Sequence, residues 1–280
     1  MNKVFFSCLN SFFVVVTLMY SAANLAAREL KVPGDGKSIQ NAIDSAQKGD
    51  TIRVGKGIYI ERLKLKSGVN VFGSGPEFTK IRGDGKGDII IGNDDCTISG
   101  FTIEKSGNEY FAIRCNSTSP IIKENIVLNN GGGIYLADSK AQLEQNLIVG
   151  TDDGSDFGSI AVFCQGGNPI IKNNTIVNNH VRFGIICDNS APIIKFNIIV
   201  FNLGGIGCFN SSKPELSDNN VWNNNVIGNY QDCKPDTNSI SEDPLFIDTS
   251  KGDYRLSTQS PCLREKGNIG AVGYRIIIQE

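Results

Sequence analysis

The side chains able to do chemistry are few and unevenly placed. One histidine, His180, serves the 280 residues, and both methionines, Met1 and Met19, fall in the first twenty. Imidazole and thioether ligation of a metal is therefore poorly supplied. His180, Arg182 and Asp188 lie close in sequence and are the candidates for proton transfer. Asp152, Asp153 and Asp156 put three carboxylates on one segment, an oxygen set able to ligate Ca²⁺. The plainer reading of that segment, and of the acidic turns Gly83–Asp88 and Asn93–Asp95, is a solvated loop. Gly36-Lys37-Ser38 has the ending of a phosphate-binding loop, but Lys31 stands where the leading glycine is required, so that motif is rejected.

What must position these groups is an internal repeat, and repeats are sought before any other pattern. Ser119–Asn125, Asn168–Asn174 and Ala191–Asn197 each read X-Pro-Ile-Ile-Lys-X-Asn, and Lys213–Asn219 is a decayed copy. Ala141–Asn146 supplies a copy without its proline. The anchoring residues Asn125, Asn146, Asn174, Asn197 and Asn219 recur about every 22 residues, with one longer step containing an insertion around Asp152–Phe157. After each Asn comes an apolar triplet such as Ile198-Ile199-Val200, then a second strand such as Gly184-Ile185-Ile186-Cys187. Each repeat holds about three short strands separated by Asn, Gly, Pro or Ser turns, and no helical period lies between them.

Strands this short cannot bury a face alone, so successive coils must stack with like strands parallel. The expected fold is all-β, a parallel β-helix, with two inward ladders: Ile113/Ile134/Val162/Ile185/Ile206 and Cys115/Leu136/Cys164/Cys187/Cys208. The Asn column forms an inward amide ladder, which accounts for 29 Asn and 35 Ile without any catalytic role. The outward column Arg114, Tyr135, Phe163, Ile186 and Gly207 is the expected substrate-binding face. Its aromatics offer a platform for sugar rings, and Arg114 a partner for a uronate or sulfate. A second outward column, Lys123, Glu144, Lys172 and Lys195, has mixed sign and reads as solvation.

Lys3, the apolar run Phe12–Tyr20 and the small residues Ser21–Ala27 have the layout of a secretory signal, so the chain is expected to be exported, to the periplasm, cell surface or medium, with no membrane span after removal. Seven cysteines follow Cys8, an odd number. Cys164, Cys187 and Cys208 read as small buried hydrophobes, and Cys233 with Cys262 as a pair that could fasten the closing segment. Net charge of −2 gives no footprint for nucleic acid.

The repeats resemble those of the right-handed parallel β-helix proteins of the pectin-lyase-like superfamily. Ser38–Ala46, with Ile39, Ala42, Ile43 and Ala46 on one face, resembles the short helix that caps the first coil. Asp243–Asp248, Gly252–Leu256, Ser260–Cys262 and Gly267–Ala271 resemble the closing segment of bacterial members. The resemblance implies a right-handed coil and the layout 1–27 signal, 28–48 capping segment, 49–232 β-helix and 233–280 closing segment. It leaves activity open, because the scaffold hosts many chemistries. A galacturonan hydrolase of this superfamily needs paired Asp and usually Gly-His-Gly, which the chain lacks. Of a pectin methylesterase it has only Gly57–Glu61, read as a first-coil feature. The expected function is a monomeric module bound to extracellular or periplasmic polysaccharide. The alternatives are a lyase or epimerase on uronate polymers, and a non-catalytic periplasmic accessory protein such as those that assist copper-enzyme maturation.

Overall fold

The computed structural model describes residues 26–34, 38–152, 154, 160–265, 267–271 and 273–276. The signal-like segment therefore lies outside the described residues, apart from Ala26 and Ala27. Three parallel sheets wrap one core. Sheet A has nine strands from Glu29–Val32 to Glu215–Ser217, sheet B eight from Gly57–Ile60 to Asn220–Trp222, and sheet C eight from Leu63–Lys64 to Gly228–Gln231. Each coil gives one strand to each sheet. The architecture is a parallel β-helix of about nine turns, consistent with the right-handed coil expected.

The registers follow the repeat. Ile113, Ile134, Val162, Ile185 and Ile206 stack in one line, and Cys115, Leu136, Cys164, Cys187 and Cys208 in the next. All ten are nearly or fully inaccessible. Burying apolar area of this kind is the main driving force, at roughly 25 cal/mol per Å².

The corners explain the asparagines. Glu124, Gln145, Asn173, Phe196 and Asp218 all have φ between 52° and 55°, a left-handed region that non-glycine residues rarely occupy. Each stands immediately before a ladder Asn, at the bend from sheet A to sheet B. The amides then lock the bend. Asn146 Nδ2 donates to Asn174 Oδ1 at 2.9 Å, Asn174 to Asn197 at 3.1 Å and Asn197 to Asn219 at 3.0 Å. Each also donates to the backbone of the coil beneath, as Asn174 does to Leu143 O at 2.9 Å.

A second file, absent from the sequence reading, runs at the bend from sheet B to sheet C. Asn179 donates to Asn202 at 3.0 Å and Asn202 to Asn224 at 3.1 Å. Its members stand five residues after the first file's, and Thr151 takes the place of an Asn there.

Among the described residues one α-helix, α1 (Ile39–Ser45), covers the first coil, with Ile39, Ala42 and Ile43 buried. Ser38 Oγ accepts from Asn41 N at 3.1 Å. Glu61 completes the cap, its two carboxylate oxygens each accepting at 3.0 Å from Ile39 N and Gln40 N. Gly57–Glu61 is thus built into the first coil. The 28–48 segment also adds a strand, Glu29–Val32, in register with Thr51–Val54.

At the other end the chain folds back over the outside of sheet B. An antiparallel pair, Phe246–Asp248 with Asp253–Leu256, and the segment to Ile276 bury a second cluster of Ile126, Leu147, Val177, Ile198, Val200, Tyr254, Cys262 and Ile269. This corrects the expected Cys233–Cys262 pairing. Cys233 packs against the interior core, Cys262 in the outer cluster, and all seven described cysteines are free thiols.

Candidate functional site

The parallel register of sheet C puts Arg114, Tyr135, Phe163, Ile186 and Gly207 in one outward line. Lys64 and Ile91 extend it toward the helix cap. The three expected binding residues do come together. Tyr135 and Phe163 meet edge to face with ring centroids 5.4 Å apart, and the Arg114 guanidinium sits 4.6 Å over the Tyr135 ring. Gln165 accepts a hydrogen bond from the Tyr135 hydroxyl.

Two members of this cluster went unread in the sequence. Phe111 lies 5.2 Å from the Tyr135 ring and 5.0 Å from the Arg114 guanidinium, so arginine rests between two rings. Phe111 occupies the space a Cβ would need at Gly132, the position stacked on it, where such an atom would approach the ring to 2.6 Å. Asp88, read only as part of an acidic turn, accepts from Arg114 Nε at 2.5 Å and from Phe111 N at 2.7 Å. It therefore fixes both the ring and the guanidinium. Because Asp88 balances its charge, Arg114 acts here as a rigid flat surface with its remaining donors, rather than as a lone cation.

Next to Asp88 the face deepens into a cavity of about 740 Å³ lined by Gln40, Arg62, Lys64, Lys86, Ile91 and Tyr110 among others. Arg62, Lys64 and Lys86 stand on its wall with Asp88, but Arg62 is paired with Asp84 at 3.6 Å and Asp88 with Arg114, so the two lysines carry its excess positive charge. At the opposite end Phe183 is fully buried and covers Gly204 and Gly207, with Phe209 against its edge at 5.8 Å. The open face therefore runs from the cavity to Phe163 and is closed beyond it.

The proton-transfer candidates are not assembled. His180 is 65% exposed, with Nδ1 3.4 Å from Asp152 Oδ2. Arg182 lies 6.0 Å from the Phe183 ring, just before the strand Phe183–Asp188. Asp188 ends that strand, about 20 Å from Arg182 along the chain at 3.3 Å per residue, and accepts from Asn210 Nδ2 at 2.5 Å. Of the Ca²⁺ candidates, Asp152 accepts from Gly154 N at 2.8 Å, while Asp153 and Asp156 lie outside the described residues. Among the described residues no three His, Cys, Asp or Glu side chains converge as a metal-holding group. Lys123, Glu144, Lys172 and Lys195 do stack as expected.

Among solved structures, the chain is similar to a pectin methylesterase in complex with a hexasaccharide (17% identity over 67% of this chain and 70% of that one, TM-score 0.46). It is also similar to the A-module of the Azotobacter vinelandii mannuronan C-5 epimerase (16%, 69% and 75%, 0.40) and to a pectate lyase (11%, 88% and 96%, 0.45). No curated protein sequence matches it. The model of the periplasmic copper-binding protein (NosD) family matches residues 38–253, from the cap of α1 to the closing antiparallel pair, and the chain belongs to that family.

Proposed function

We propose that the protein is an exported, non-catalytic periplasmic module that binds an anionic polysaccharide along the outward face of sheet C. The observation that carries this reading is the Phe111–Tyr135–Phe163 ring cluster with Arg114 held between rings by Asp88, beside a cavity walled by Arg62, Lys64 and Lys86. Flat apolar rings stack on the apolar faces of sugars, and the cations take carboxylates or sulfates. Catalysis has no comparable support, since His180, Arg182 and Asp188 point to no common place. The test is a panel of uronate and sulfated polymers, with and without Ca²⁺, read by calorimetry and by the ultraviolet absorbance of unsaturated product. Binding without product is expected, weakened about tenfold or more in Tyr135→Ala. Silence across the panel would reject the reading, and product lost on Arg182→Ala would establish the lyase instead.

A further inference from the structure

The platform on sheet C has two ends, and they differ. Lys64, Ile91, Arg114, Tyr135 and Phe163 stand on five successive strands, so the open line they form is about 19 Å long at ~4.8 Å per strand. Past Phe163 the line is filled in. Ile186 is 8% exposed, and Gly207 lies under the rings of Phe183 and Phe209, which a Cβ there would meet at 3.0 and 2.9 Å. At the other end the sheet itself is terminated. The Gln40 side chain on α1 accepts from Lys64 N at 2.8 Å and donates to Lys64 O at 3.4 Å, two bonds of the kind a further strand would make. Gln40 also lines the cavity, so α1 stands across the line as a stop with the cavity at its foot.

We infer that this face is a stopped site for the end of an anionic sugar chain. It rests on the polysaccharide reading above and adds the length and direction of the site. A linked sugar ring advances its chain by about one strand spacing, so the line holds about four rings. The terminal ring enters the cavity, which at about 740 Å³ has the size of a small-molecule site. Its carboxylate or sulfate sits between Lys64 and Lys86. The other charges of the wall are already engaged. The Arg62 guanidinium pairs with Asp84 at 3.6 Å, donates to Lys86 O at 3.3 Å, and lies where a Cβ on Gly87 would approach Nη1 to 2.4 Å. Asp88 is held by Arg114 at 2.5 Å. Lys64 and Lys86 are exposed and enter no ion pair among the described residues, so theirs are the ammonium groups open to a ligand. An ammonium is a point charge with rotatable donors, which suits a carboxylate and a sulfate alike.

A stopped site and an open groove bind differently. In an open groove each added ring finds a place, and a long polymer carries many copies of the protein. Against a stop, rings beyond the fourth or so hang past Phe163 in water and add nothing, and a polymer offers one seat per chain.

The test titrates the full chain by calorimetry with length-purified oligomers of about two to eight rings, galacturonates in one arm and sulfated galactans in the other, and with a polymer of known chain length from each arm. Affinity is expected to climb to about four rings and then to level within about twofold, with one protein bound per polymer chain. Binding in either arm meets this expectation and names the anion. Lys64→Ala combined with Lys86→Ala is expected to lower four-ring affinity about tenfold or more and to flatten its salt dependence, with an unchanged melting curve. The length series and the stoichiometry use the wild-type protein, so they decide the matter whether or not the double variant folds. Affinity that keeps rising to the longest oligomer, several proteins per polymer chain, or full four-ring affinity in a folded double variant would overturn the stopped site and leave polysaccharide binding standing. No binding of any oligomer or polymer would overturn both.

Discussion

At the residue scale, the ladder asparagines bear the largest individual cost. Asn174 is fully buried and donates to Leu143 O, Lys172 O and Asn197 Oδ1, while its own oxygen accepts from Asn146 N and Nδ2. Asn174→Ala leaves several buried groups without partners, each costing about 1–3 kcal/mol, and removes the lock on the left-handed bend at Asn173. A loss of about 3 kcal/mol is expected from urea unfolding, against under ~0.5 kcal/mol for the exposed Asn225→Ala. A loss below 1 kcal/mol for Asn174→Ala would mean that the ladder is decoration. Thr151 makes the complementary case. Its backbone N–H donates to Asn179 Oδ1 at 3.0 Å, but its buried hydroxyl has no partner among the described residues. Thr151→Asn supplies the missing amide, and a gain of about 1 kcal/mol is expected in the same measurement. The first ladder was legible because Pro-Ile-Ile-Lys flags it. The second was not, because Ser106 and Thr151 interrupt it and its neighbours are themselves rich in Asn and Gly. Asp88 was missed for a different reason. It lies 26 residues before Arg114, in coils whose sequences no longer match the repeat, and only the stacking brings the two together.

At the element scale, α1 is seven residues long and too short to hold itself, so its ends are tied to the coils. Glu61 and Ser38 secure the N-terminal end. Beyond the C-terminal end, Asp50 accepts from Gln47 N at 2.8 Å, Arg28 N at 2.8 Å, and Arg28 Nε and Nη2 at 3.0 and 2.6 Å. The Arg28 guanidinium, followed by the backbone donors, holds the Asp50 carboxyl far below the ordinary carboxylate range. A depressed folded pKa stabilises the fold above the unfolded value of about 3.9, and that contribution is lost as pH falls below it toward the folded pKa. The urea midpoint is therefore expected to fall from pH 5 to pH 2 in the wild type, and to fall less in Asp50→Asn. Amides of α1 and of Glu29–Val32 should be the first to exchange as the acid limb begins. An identical acid limb in both proteins would remove Asp50 from the account.

At the scale of the whole molecule, stability is a chain of nearest-neighbour terms plus the two devices that end it. The coil stack could be read from the sequence because one period enforces one register. The covering of sheet B could not, because the closing segment has no repeat of its own and contacts residues some hundred positions away. Its attachments are specific. Asn173 Nδ2 donates to Asn268 O at 2.7 Å, Ala271 N to Thr175 Oγ1 at 3.0 Å, and Tyr274 Oη to Gln145 O at 2.7 Å. Ile269 is wholly buried at the centre of this seam. Placing a carboxylate there costs more than the outer cluster can absorb, yet it touches none of the interior ladders. Ile269→Asp is therefore expected to release the segment from Phe246 to Ile276 while the coils persist. Hydrogen exchange would then accelerate in that segment and on sheet B, and stay slow in sheets A and C, because units of unequal local stability open separately. Its release would uncover Ile126, Leu147, Val177, Ile198 and Val200, which the closing segment buries, as an apolar stripe, so the variant should also self-associate in light scattering. Uniform acceleration across all three sheets would show instead that the closing segment and the coils form one cooperative unit, and would refute the nearest-neighbour description.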